Sequence, residues 1–144
     1  LKNSLIQLSN CVAVQLEVSF ICLYENQPSI DEIDIWMRSI GFAPHRFLDI
    51  RRWSITPTKN GINFRRPFNQ LLEADIVYVR DPLNMKKRTS GQLKMLAVMS
   101  EVFFDSSDLA IHCIRELVSQ KILETKVISQ FIAARAKHRR SHTT

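Results

Sequence analysis

Residues 12–42, VAVQLEVSFICLYENQPSIDEIDIWMRSIGF, carry the reading on which the fold depends. The opening run, Val12 to Leu23, is rich in β-branched and large apolar side chains, the composition of a strand covered on both faces. Gln15, Glu17 and Ser19 fall at alternate positions, so they share one side of the pleat toward the strand's carboxyl end. Tyr24-Glu25-Asn26-Gln27-Pro28 follows as a loop. Ser29 to Ile40 then reads as a helix. Ser29 stands at the cap, Glu32 three residues on completes a capping box, and Asp31 favours the positive end of the helix dipole. Ile30, Ile33, Trp36, Met37 and Ile40 recur at helical spacing along one face, and Gly41 supplies a left-handed stop.

Downstream, Phe42 to Trp53 reads as a second strand. Phe42, Phe47, Leu48 and Ile50 provide its apolar content, and Pro44 restricts it to an edge. Thr56 to Pro67 contains two prolines, Asn60 and Gly61, the composition of a long loop. Asp75 to Arg80, DIVYVR, is a third strand, and the loop allows it to lie antiparallel to the second. After Pro82 the pattern becomes helical. Thr89 and Gln92 are spaced for another capping box before Leu93, Leu96 and Met99. Asp105-Ser106-Ser107-Asp108 breaks that run. A further helix carries Leu109, Ile111, Ile114 and Leu117, and a last one begins near Glu124 and dissolves into a basic tail. Upstream, Leu1, Leu5 and Leu8 read as the face of a helix already under way, which leads us to expect that sequence precedes Leu1.

Several of these segments carry a family resemblance. Glu17-Val18-Ser19-Phe20, Leu23-Tyr24, Gln27-Pro28, the helix after Ser29 and Gly41-Phe42 occur in this order. Together they resemble the C-terminal region of the FkbM family of methyltransferases. Ala74-Asp75-Ile76-Val77-Tyr78-Val79-Arg80 is similar to the closing strand of that family, with Tyr78 at its aromatic position. The resemblance spans residues 12–80. It implies an α/β fold: the C-terminal portion of a doubly wound, Rossmann-like methyltransferase sheet, followed by an α-helical tail. Residues 75–80 would slot between the strands at 12–20 and 42–53. Residues 1–82 would be the C-terminal half of the methyltransferase domain, and 83–144 a helical extension with a basic tail.

The resemblance further implies transfer of a methyl group from S-adenosylmethionine to an oxygen of a carbohydrate or other small acceptor. The cofactor would be bound mainly by residues outside this chain. Gly41, Gly61 and Gly91 are its three glycines, each isolated, and none follows a strand and opens a helix as a cofactor-cradling turn must. The chain alone is expected to be inactive.

Ligands of open α/β sheets gather beyond the carboxyl ends of the strands, where Glu17 is expected. A carboxylate there can deprotonate an acceptor hydroxyl; it can equally serve as a structural acid bonded to a neighbouring loop. Ser19 and Tyr24 offer hydroxyls to the same acceptor, or to local backbone groups. His45, Arg51 and Arg52 lie on or beyond the second strand. The arginines suit a phosphate or carboxylate, or the charged edge that discourages aggregation. His112 reads as a packed or surface histidine. His138 and His142 have i,i+4 spacing without a metal-binding glutamate, so no metal is expected.

Composition bounds the rest. With 144 residues, 45% hydrophobic and 24% charged, the chain is of single-domain size and ordinary globular make-up. Its net charge of +6 is concentrated in Lys86-Lys87-Arg88 and in Arg135 to Arg140. Neither run is interleaved with aromatics, so no nucleic-acid partner is expected. Cys11, Cys22 and Cys113 form no C-x-x-C pair and suggest buried thiols in a reducing, cytoplasmic setting. No apolar run approaches the ~20 residues of a membrane span. An alternative reading is a non-catalytic module whose basic helical tail binds a protein or an anion. A strand at 12–20 with an open flank also leads us to expect self-association of the chain.

Overall fold

The computed structural model describes residues 5–55 and 69–141, so the loop expected at Thr56–Pro67 lies outside the described residues. The chain divides into two compact units, Leu1–Arg80 and Asp81–Thr144.

In the first unit, α1 (Leu5–Asn10) leads to β1 (Ala13–Ser19), α2 (Ile30–Ser39), β2 (Phe42–Trp53) and β3 (Gln70–Arg80). The sheet order is β1-β3-β2, and both pairings are antiparallel. The first and last of these strands therefore run parallel to each other on either side of β3, with α2 as their connection. The architecture is mixed α/β.

Two strands differ from their sequence reading. β1 is shorter, and its odd-numbered positions Gln15 and Glu17 are exposed rather than covered. A last main-chain bond, from the Phe20 amide to the Leu72 carbonyl at 2.9 Å, follows Ser19, and beyond it side chains hold the chain. The Gln27 carboxamide accepts a bond from the Leu23 amide at 3.0 Å and donates to the Ser19 hydroxyl at 2.7 Å, which turns the chain away from the sheet. β3 starts at Gln70, five residues before Asp75, because Gln70 to Ala74 pair with Trp53 to Ile50. QLLEA is not a strand-like composition, and the neighbouring ladder overrides it. Register shifts interrupt β2 between Pro44 and Arg46, between Phe47 and Asp49 and between Arg51 and Arg52. The first is the expected result of a proline that brings no N–H to the ladder.

One face of the sheet packs on α2. Val18, Ile33, Met37, Phe42, Ala74, Ile76 and Tyr78 form the buried cluster. Burying each of the larger ones contributes about 1.5–3 kcal/mol. Ser29 starts the helix as its sequence indicates: its amide donates to the Glu32 carboxylate at 2.9 Å and its hydroxyl donates to the same oxygen at 3.0 Å. Gly41 ends it at φ +83°, and a Cβ there would also lie 3.6 Å from Arg80 Nη1. That distance is ordinary van der Waals contact, so it is the left-handed backbone, not lack of room, that would strain an L side chain here.

Arg80 ties the unit together. It is only 5% exposed. Its guanidinium donates to the carbonyls of Cys11 (2.8 Å), Ser9 (2.7 Å), Ile40 (2.9 Å) and Leu8, and lies 4.1 Å above the Phe42 ring. The last carbonyls of α1 and the capping carbonyl of α2 are thereby satisfied by one cation at the negative ends of both helices.

The second unit opens with a 3-10 helix at Pro82–Lys87, capped by Asp81, whose carboxylate accepts from the Leu83 amide at 3.0 Å. It continues with α3 (Ser90–Val102), α4 (Ser107–Ser119) and α5 (Lys126–Ser141). Thr89 and Gln92 form the capping box in both directions at 3.2 Å. Leu93 and Leu96 of α3 are buried, as are Leu109, Ala110, Cys113, Ile114 and Leu117 of α4. Burial pushes the Cys113 thiol up to about 12. α5 does not dissolve where the basic residues begin but continues to Ser141. Alanine, lysine and arginine are strong helix formers, and Arg135 anchors the helix on Glu101 (2.9 Å) and Asp105. No helix among the described residues is long and apolar enough to cross a membrane.

Candidate functional site

Alternation along the strands puts Glu17, Asp75 and Asp49 on the sheet face opposite α2. Glu17 pairs with Asp75 across the first ladder, and Asp75 pairs with Asp49 across the second. The next row holds Ser19, Glu73 and Arg51. Four carboxylates thus converge near the carboxyl ends of β1 and β2, with Arg51 among them. Like charges placed directly opposite on a sheet repel, and Arg51 offsets this by bonding three of the four. It contacts Glu73 most closely, Glu17 at 3.2 Å and Asp49 at 3.3 Å. The Glu73 contact, followed by that to Asp49, raises the Arg51 pKa above its ordinary value. Arg51, Glu17 and Asp49 are about half exposed, so solvent screens these pairs and they add little to stability.

Glu17 accordingly stands beside the carboxyl end of β1, with its carboxylate 56% exposed and held by Arg51. Ser19, on the same face, is buried, and its hydroxyl accepts from Gln27. It borders a small cavity of about 130 Å³ together with Phe20, Cys22 and Gln27. Tyr24 lies on the loop beyond and is 72% exposed. The strand brings Glu17 and Ser19 together, whereas Tyr24 is separated from them by the turn that Gln27 closes. Sequence reasoning placed Arg51 near this end but did not find its grip on three acids, which arises from pairing across 34 and 22 residues of chain.

Two larger grooves flank α2. One, of about 890 Å³, runs beside Gln27, Pro28, Ile33, Trp36 and Ser39. The other, of about 440 Å³, includes Asp34, Arg38, His45, Arg46 and Tyr78. In the second, Asp34 accepts from both the Tyr78 hydroxyl at 3.1 Å and Arg38 Nε at 2.7 Å. Burial, helped by the Asp34 carboxylate, pushes Tyr78 up to about 12. In the helical unit, His112 Nε2 lies 2.9 Å from the Pro82 carbonyl.

Among the described residues no group of three or more His, Cys, Asp or Glu could hold a metal ion. The described glycines do not fit S-adenosylmethionine either. Gly41 is the stop signal of α2, and Gly91 lies in the first turn of α3, so neither follows a strand and opens a helix. No protein-family model, no curated protein and no solved structure matches this chain.

Proposed function

We propose that the sheet unit is the closing edge of a doubly wound, Rossmann-like sheet, and that the chain is the C-terminal part of an S-adenosylmethionine-dependent methyltransferase resembling the FkbM type. The observation that carries this reading is the strand order β1-β3-β2: a last strand inserted antiparallel between two parallel strands that a helix connects. The other edge of β1 has no ladder partner among the described residues, and parallel neighbours could extend the sheet there. Because the described residues offer no cradle for the cofactor, the contribution of this chain lies on the acceptor side.

Glu17 is then the group that takes the proton from the acceptor hydroxyl, at the strand end where ligands of open sheets gather. Arg51 orients its carboxylate by the 3.2 Å contact, and Ser19 and Tyr24 supply polar contacts to a carbohydrate or other small acceptor. Calorimetric titration of the complete gene product with S-adenosylmethionine should give a heat of binding. The 144-residue chain by itself should give none. Absence of heat with the complete gene product overturns the reading. Replacement Glu17→Gln should lower kcat by roughly 10²–10⁴-fold, the usual worth of a positioned base, and leave cofactor affinity unchanged.

A further inference from the structure

Several cations of this chain are spent on acids: Arg38 on Asp34, Arg51 on Glu17, Asp49 and Glu73, and Arg135 on Glu101 and Asp105. Lys86, Lys87 and Arg88 differ. They are consecutive, and among the described residues none of their side chains meets a carboxylate. Both lysines are exposed, and the Nε of Arg88 has no hydrogen-bond partner. Three neighbouring like charges without a counter-charge repel one another and favour an anionic partner.

The residue that follows them is a hydroxyl amino acid open to solvent. Thr89 is exposed, and it lies outside the helix that it caps. Its backbone is extended, at φ −69° and ψ 156°, as is that of Arg88 at φ −92° and ψ 145°. The preceding lysines close a 3-10 turn, a structure of poor hydrogen-bond geometry that opens at little cost. The Thr89 hydroxyl accepts from the Gln92 amide at 3.2 Å, which occupies one lone pair of its oxygen and leaves the other for attack.

We propose that Thr89 is a phosphorylation site, and that Lys86-Lys87-Arg88 is the feature by which the acidic peptide cleft of a serine/threonine kinase selects it. The Thr89 oxygen attacks the γ-phosphorus of ATP. A bond forms between them, the bond from that phosphorus to the bridging oxygen breaks as ADP departs, and a carboxylate of the kinase takes the hydroxyl proton. The product places a dianionic group at the positive end of α3 beside three cations, where the helix dipole and the charges both stabilise it. Arg51-Arg52-Trp53-Ser54 also sets a hydroxyl after two arginines. There, however, Arg51 is held by three carboxylates, which withhold it from a kinase and oppose a phosphate.

Incubation of the 144-residue chain with magnesium, ATP and the catalytic subunit of cyclic-AMP-dependent protein kinase, followed by mass spectrometry of its peptides, tests the proposal. Phosphate should be found on Thr89. The double replacement Lys86→Gln, Lys87→Gln should lower kcat/KM at that residue roughly tenfold with little change in the thermal midpoint, since neither side chain is bonded within the chain. The phosphorylated chain should melt higher than the unmodified one at low ionic strength and lose the gain in high salt. No incorporation, phosphate confined to Ser90 or Ser54, or labelling of Thr89 indifferent to the lysine replacements overturns the proposal. None of these results touches Glu17, so the methyltransferase reading is tested separately.

Discussion

The two units of this chain hold themselves together by contacts of different range. In the sheet unit the decisive polar contacts join residues far apart in sequence: Arg80 with Leu8, Ser9, Cys11 and Ile40, Tyr78 with Asp34, and Arg51 with Glu17. The helical unit has long-range contacts too, Arg135 with Glu101 and Asp105 and His112 with Pro82, but many of its others link near neighbours, as in Thr89 with Gln92, Ser106 with Asp108 and Ser107 with Glu101. Long-range contacts form only after the loops that separate them have closed, at a cost in chain entropy. Loss of one such contact is therefore felt across the sheet unit, whereas a lost cap weakens one helix. Both tryptophans, Trp36 and Trp53, lie in the sheet unit, so their fluorescence reports on it, while ellipticity at 222 nm is dominated by the longer helices of the other.

The strongest way to break this contrast is Arg80→Met. It leaves helix-end carbonyls without a donor and should cost about 3–5 kcal/mol, lowering the urea midpoint seen by tryptophan fluorescence far more than that seen by ellipticity. Arg80→Lys should rescue little, since an ammonium cannot reach carbonyls in several directions at once. In the helical unit the counterpart is Leu96→Ala, expected to cost about 2–5 kcal/mol and to move the ellipticity transition first. Equal shifts in both probes for both variants would dissolve the distinction between the units.

Alkaline titration sharpens it. Both Cys113 and Tyr78 have folded-state pKa values raised to about 12, from 9.0 and 10.0 respectively. Each keeps its proton when folded and loses it when unfolded, so its contribution is complete below the unfolded value and disappears as pH rises toward 12. Loss should begin near pH 9 in the helical unit and near pH 10 in the sheet unit, read by chemical denaturation at successive pH values. Cys113→Ala and Tyr78→Phe should each flatten the corresponding slope. Smaller still, Thr89→Ala should cost about 1 kcal/mol in the ellipticity transition alone. Arg51→Ala should have the smallest effect of all on stability, one that disappears in high salt.

The elements of the sheet unit were legible to unequal degrees. The helix from Ser29 to Gly41 was readable to its ends because its caps and its apolar spacing are written in adjacent residues. β2 was found at its full extent, since Phe42, Phe47, Leu48, Ile50 and Trp53 mark it. The first five residues of β3 were missed because Gln70 to Ala74 have no strand character of their own. The candidate site divides in the same way. Glu17 and Ser19 were placed on one face by alternation alone. The row Glu17, Asp75 and Asp49, with Arg51 bridging the acids, depends on a register that no single segment contains.

The sequence by itself determined the helices and their caps, the approximate strands and the faces their side chains share, because these follow from periodicity and from bonds spanning three or four residues. Only the tertiary structure decided that β3 begins at Gln70 and in which register it meets its neighbours, that Arg80 closes two helices at once, and that Arg51 holds three carboxylates. Those outcomes depend on which backbone edges meet, and that is fixed by burial and pairing over tens of residues rather than by any local pattern.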